Sequence, residues 1–149
     1  MRFFRWCAAF GAFMLSSAVL FSVGLMKNPY GECLKFGRRV GAEYYLYSPS
    51  SQAKICDSVS LSEYFYLTGE KTVFLFETEK DADKYVMKWI KSQRARIVWE
   101  ENIEGERSIY LYADGLGRTA TLFGGKVNAH VVLLKNKVQI GFPIIFGGY

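Results

Sequence analysis

The chain is 149 residues long, half of them hydrophobic, and its 19 Lys and Arg outweigh its 14 Asp and Glu for a net charge of +5. Three of the basic residues, Arg2, Arg5 and Lys27, flank one apolar segment, so residues 28–149 hold 16 basic against 14 acidic side chains and a balance of only +2. That near-neutral remainder argues against nucleic acid as a partner; its 122 residues suffice for one compact domain, not two, and a domain of that size buries a core without needing disulfides.

Trp6 to Met26 contain no charged side chain. At about 1.5 Å rise per residue, a helix over this run spans roughly 31 Å, close to the hydrocarbon thickness of about 30 Å. The expectation is a basic tail (1–5) followed by a single-pass anchor (6–26). A cleaved secretory signal is the competing reading, since Ser16-Ser17-Ala18 and Ser22-Val23-Gly24 offer small-x-small cleavage sites. Against the first site, Val19, Leu20, Phe21 and Val23 keep the run apolar where a mature domain begins with polar residues. Against the second, the apolar core is longer than most signal cores. Neither Cys7 nor Cys33 follows the small and aliphatic residues that lipidation requires.

Arg2, Arg5 and the terminal amine favour a cytoplasmic N-terminus, with Lys27, Lys35, Arg38 and Arg39 opposing from the other side. A five-residue tail and the cysteine usage favour the N-terminus inside and the domain outside the cytoplasm, in a bacterial inner membrane facing the periplasm. Ala8, Ala12 and Ser16 recur every fourth residue; such a stripe of small side chains lets two membrane helices approach closely, so a homodimer through the anchor is one expectation. Cys33 and Cys56 form an even pair in an exported domain, which reads as one disulfide. Closing a loop of roughly two dozen residues, it contributes about 3 kcal/mol on the chain-entropy estimate. With His130 as the single histidine, a tetrahedral zinc set is not completed.

Residues 27–42 read as a connector and 43–149 as the domain. Glu43 to Tyr47 is aromatic and extended, and Ser48-Pro49-Ser50-Ser51 breaks it. Val59 to Leu67 reads as a strand, Thr68-Gly69-Glu70-Lys71 as a turn, and Thr72 to Phe76 as the second strand of a hairpin. The clearest element is a helix over about 79–94. Thr78 with Asp81 three residues on resembles a capping box, and Ala82, Tyr85, Val86, Trp89 and Ile90 recur at helical spacing. Glu79, Asp81 and Asp83 at its start and Lys88, Lys91 and Arg94 at its end suit the helix dipole.

The remainder reads as β. Arg96 to Glu101 leads into an acidic turn, Glu101 to Glu106. Arg107 to Ala113 alternates, with Ile109 and Leu111 on one side and Tyr110 and Tyr112 on the other. Asp114 to Gly117 turns the chain into Arg118 to Phe123, and Ala129 to Leu134 pairs with Val138 to Phe142 across Lys135-Asn136-Lys137. Short strands and tight turns imply antiparallel pairing. The predicted fold class is α+β: a membrane segment, then a small two-layer domain of mostly antiparallel sheet covered by one amphipathic helix.

Chemical motifs are sparse. Gly115-Leu116-Gly117-Arg118-Thr119-Ala120 matches a dinucleotide G-x-G-x-x-A pattern only formally, because no helix follows to face a pyrophosphate. His130 shares a strand face with Asn128, Val132 and Leu134, a setting more typical of a packed histidine than of a general base. No Ser or Cys lies in a nucleophile context, and the acids of Glu100 to Glu106, in principle a glycosidase pair, crowd one turn and read as a solvated loop. No cofactor is implied.

Tyrosines are the stronger signal. Tyr44, Tyr45, Tyr47, Tyr64, Tyr66, Tyr110 and Tyr112 offer rigid area with a polar tip, which suits protein interfaces; Tyr110, Tyr112, Tyr64 and Tyr66 are the candidate interface. The alternative is that both sheet faces are covered. The apolar end, Phe142 to Tyr149, either packs as a last strand or docks on a partner or membrane. The leading functional expectation is a non-enzymatic, membrane-anchored envelope protein whose external domain binds another protein, as immunity or inhibitor proteins and accessory subunits do. A cleaved, secreted or periplasmic module holding a small ligand between helix and sheet is second. An enzyme using His130 with an acid such as Asp114 is third.

Overall fold

The computed structural model describes residues 37–47, 54–60 and 62–145, apart from the side chains of Lys54 and Tyr64. In chain order the described elements are β1 (Arg38–Leu46), β2 (Lys54–Cys56), a 3-10 turn (Glu63–Tyr66), β3 (Leu67–Leu75), α1 (Glu79–Ser92), β4 (Arg96–Ile103), β5 (Glu106–Tyr112), β6 (Ala120–Leu122), β7 (Gly125–Val127), β8 (Ala129–Leu134) and β9 (Lys137–Phe142). Seven strands form one sheet in the order β2-β1-β3-β9-β8-β5-β4, and β6 and β7 pair separately. Every pairing is antiparallel. The domain is thus mostly antiparallel sheet with one helix. β3 and β4 run in the same direction, and α1 carries the chain between them across the width of β9, β8 and β5.

The helix forms as its sequence predicts. Thr78 caps it with an extended backbone, its hydroxyl accepting from the Asp81 N–H at 3.1 Å and donating to the Asp81 carboxylate at 2.6 Å. Ala82, Tyr85, Val86, Trp89 and Ile90 are its buried residues. They meet the sheet face carrying Phe74 of β3, Ile140 and Phe142 of β9, Val131 of β8 and Ile109 and Leu111 of β5, as the register and the two-residue alternation dictate. Trp89 contacts Phe142 at 6.2 Å between ring centroids, and Tyr85 stacks on Phe76 at 5.0 Å. At the margin of this layer Arg107 pairs with Asp83 and Glu100.

Three local expectations are corrected. The hairpin expected between Val59–Leu67 and Thr72–Phe76 does not form; β3 runs straight through Thr68-Gly69-Glu70-Lys71 and pairs with β1 and β9. Gly69 serves close approach rather than a turn, since a Cβ there would lie 2.6 Å from the Phe142 carbonyl oxygen and 3.2 Å from the Tyr45 ring. Gly69→Ala is expected to cost about 2 kcal/mol through overpacking, read from the denaturant midpoint; an unchanged midpoint would show that the neighbours yield freely. Strand β1 begins at Arg38, inside the expected connector, because Arg38 to Ala42 extend the ladder along Leu75 to Thr72.

The third correction concerns the acidic turn. It contracts to Glu104-Gly105, both at positive φ (53° and 85°), as a two-residue hairpin with primed-turn backbone requires. Glu101, Asn102, Ile103 and Glu106 therefore lie in strands. The same device recurs at Phe123-Gly124 (51° and 73°), which limits the expected strand Arg118–Phe123 to Ala120–Leu122.

The face opposite the helix is partly polar. Lys71, Ser108, His130 and Gln139 are buried on it beside Tyr45, Tyr110 and Val132. Lys71 is neutralised by Glu43, Nζ to Oε1 2.9 Å. Two pieces of chain cover this face. Phe123, in the β6–β7 turn, contacts the rings of Trp99 and Tyr110. Ile145 fills the space above Gly141, where a Cβ would come within 2.5 Å of its side chain.

Candidate functional site

The register places Tyr110 and Tyr112 on the face opposite Ile109 and Leu111, but this face is covered at Tyr110. Its ring is 9% exposed, stacked on His130 at 4.1 Å and met edge-on by Phe123 at 5.3 Å, while its hydroxyl donates to Glu101 at 3.1 Å. Tyr112 is half-buried, with the Arg96 guanidinium 5.1 Å from its ring centre. Trp99 and Phe123 beside Tyr110 are partly exposed (46% and 58%), and a second group of solvent-facing rings lies at the β1–β3 side of the sheet. Tyr47, Phe65 and Tyr66 are 68%, 85% and 62% exposed.

These three rings line an open cleft of about 550 Å³ together with Leu67, Thr68, Arg118, Thr119 and Pro143. Each wall is pinned by short-range chemistry. Ser60 donates to the Glu63 carboxylate from its N–H (3.1 Å) and its hydroxyl (2.7 Å), starting the 3-10 turn that presents Phe65 and Tyr66. The Tyr47 N–H donates to the Tyr66 carbonyl at 2.8 Å, joining two aromatic walls, and the Thr68 hydroxyl donates to the Tyr45 carbonyl at 2.7 Å.

The wall bearing Arg118 and Thr119 belongs to the β5–β6 connection, held from below by Asn128. This buried side chain accepts from the Ala113 N–H at 2.9 Å and donates to the carbonyls of Ala113 (2.7 Å) and Leu116 (2.8 Å). Leu116 is itself buried, two residues before Arg118. Arg118 is exposed and makes no ion pair with a described residue.

Sequence reasoning named Tyr66 and noted Tyr47 but missed Phe65 and Arg118. A strand reading of Val59–Leu67 assigns residues 64 and 66 to one face and 65 to the other; a three-residue turn fans neighbouring side chains around the axis instead. Arg118 was seen only as part of the formal G-x-G-x-x-A pattern, and β6 follows that segment.

His130 is buried on β8. Its Nδ1 accepts the Ile145 N–H at 3.3 Å, and desolvation by burial lowers its pKa from 6.5 to about 4, so the ring is neutral at pH 7. Asp114 is exposed in the β5–β6 connection. Cys56 is unbridged among the described residues, its Sγ 3.7 Å from the Tyr44 carbonyl oxygen, and its expected disulfide partner is not one of those residues. Cys33, the Ala8, Ala12 and Ser16 stripe and the whole Trp6–Met26 run lie outside the described residues. Among the described residues no helix is long and apolar enough to cross a membrane, and no three His, Cys, Asp or Glu side chains gather as a metal set. Compared with known proteins, the chain is matched by no family model, no curated protein and no solved structure.

Proposed function

We propose that this chain is a non-enzymatic, membrane-anchored envelope protein whose α+β domain lies outside the cytoplasm and binds another protein. The observation that carries the binding role is the cleft at Tyr47, Phe65, Tyr66 and Arg118. Solitary exposed apolar side chains are ordinary on a protein surface, but here three exposed rings surround one cleft beside a guanidinium. Aromatic residues and Arg are the types enriched at interface centres, and a pinned cleft loses little freedom on binding. Partners of the immunity, inhibitor or accessory-subunit kind fit this arrangement. The charge-free Trp6–Met26 run supports the anchor, and the Cys33–Cys56 pair supports an oxidising compartment.

In-cell photocrosslinking from position 65 tests this reading. A discrete protein adduct is expected, and it should disappear in the Tyr47→Ala/Tyr66→Ala variant. Because both rings are exposed, that variant should keep its stability within about 0.5 kcal/mol. Adducts that persist, or none at all in intact cells, would count against the cleft as the interface. Tyr110→Ala is a poorer probe, since it strips packing from His130 and Phe123. Thiol labelling of the native protein tests the compartment: Cys33 and Cys56 should react only after reduction, and free labelling of both would place the domain in a reducing environment.

The second reading, a cleaved periplasmic small-ligand module, is favoured by the cleft volume, which lies within the range of about 300–1,000 Å³ typical of small-molecule sites. Its site would be this cleft, because Tyr85, Val86 and Trp89 fill the layer between helix and sheet. Intact mass of the cellular protein separates the two, since cleavage removes about 20 residues.

A further inference from the structure

Arg118 is the single charged side chain among the residues lining the cleft. Two other cations of the domain are answered locally, Arg107 by Glu100 and Asp83 and Lys71 by Glu43. Surface lysines such as Lys80, Lys126 and Lys135, which do not line the cleft, make no ion pair with a described residue. Arg118 has no such counter-charge among the described residues, although the Asn128 clamp holds the loop that bears it. A guanidinium presented beside apolar walls, with no carboxylate among the described residues, is suited to pair with one through a two-pronged hydrogen-bonded contact. One cation is too few to follow a nucleic-acid backbone. Three largely exposed rings offer far more apolar area than a small anion covers.

The walls come from separate segments, the Phe65–Thr68 stretch, the Arg118–Thr119 loop and Pro143, and they leave an open trough. Thr68 and Thr119 border it; the Thr68 hydroxyl donates to the Tyr45 carbonyl and so offers a peptide backbone only an acceptor, whereas the Thr119 hydroxyl offers both a donor and an acceptor. Aromatic-lined troughs of this kind take extended, low-entropy segments. Resting on the protein-binding reading above, we propose that the cleft holds an extended peptide segment of the partner, an Asp or Glu side chain of that segment pairing with Arg118 while an adjacent proline or aliphatic side chain lies against Phe65 and Tyr66.

The probe is a displayed library of random decapeptides, selected on the full-length chain in detergent micelles and then measured as synthetic peptides. Selected sequences should share an acidic residue next to a proline or aliphatic one. Arg118→Gln, or the amide in place of the peptide acid, should weaken binding about tenfold, the loss expected for one charge-assisted hydrogen bond. Arg118→Lys should retain part of the affinity, and Arg118→Glu should select basic peptides instead. Arg118 is exposed and makes no ion pair with a described residue, so all three variants should fold.

Peptides that depend on Phe65 and Tyr66 yet lack an acid and ignore Arg118→Glu would overturn the acidic assignment while leaving a protein-binding cleft. No enrichment over the Phe65→Ala/Tyr66→Ala variant would overturn both. Failure to select peptides, combined with binding to phosphatidylglycerol vesicles that Arg118→Glu abolishes, would give the cleft to a lipid surface.

Discussion

Asn128→Ala is expected to destabilise the domain by about 3 kcal/mol, the cost of leaving several buried backbone groups without partners, and to loosen the cleft in the same step. The side chain makes three hydrogen bonds, to the N–H and carbonyl of Ala113 and the carbonyl of Leu116, while its own N–H donates to the Leu111 carbonyl. It thereby ties the end of β5 to the loop that carries Arg118. For a domain near this size the change should lower Tm by roughly 10 °C. Leu in place of Asn128 restores volume but none of the bonds, and Asp replaces two donated bonds with a carboxylate facing two carbonyl oxygens. Both should therefore do no better than Ala. If Asn128→Leu recovers the wild-type Tm, packing and not hydrogen bonding holds the loop. Amide exchange at residues 113–119 gives the second readout and should rise in all three variants.

Acidification should remove a comparable amount through His130. The native ring is neutral, with a pKa lowered from 6.5 to about 4 by burial, whereas in the unfolded chain it titrates near 6.5. As pH falls through 6.5 the unfolded state takes up a proton that the native state refuses, so stability declines until the native ring also protonates near pH 4. At 1.36 kcal/mol per pKa unit the loss approaches about 3 kcal/mol over that window. Protonation also turns Nδ1 from acceptor to donor against the Ile145 N–H, so protection of that amide should fail in the same window.

Urea unfolding of wild type and His130→Phe from pH 7.5 to 4 isolates the effect. Phe keeps a ring against Tyr110 but neither titrates nor accepts a hydrogen bond. The variant should be less stable at pH 7.5, and its deficit should shrink as pH falls, with carboxylate titrations common to both proteins cancelling. A deficit that stays constant across the range would exclude His130 as the source.

These two sites show where sequence reasoning holds and where it stops. Asn128 and His130 were placed together beside Val132 on one strand face, but their partners, Ala113 and Leu116 for one and Ile145 for the other, lie 12 to 15 residues away. No local pattern encodes such pairings. Helix α1, by contrast, was legible to its cap and its five buried residues, because a helix is built from contacts three and four residues apart. The β5 alternation and the β8–β9 hairpin were legible for the similar reason that period and turn chemistry are local.

The sequence by itself determined the charge balance, the apolar N-terminal run, the amphipathic helix and a predominantly antiparallel α+β domain. Tertiary structure alone decided that β3 pairs with β1 and β9, that Gly69 relieves a close approach, and that Tyr110 is covered while Phe65 is not. Exposure of a strand residue depends on what crosses its face, here the β6–β7 turn and the chain after β9. Those crossings join residues far apart in sequence, whose meeting is fixed only once the whole sheet has assembled.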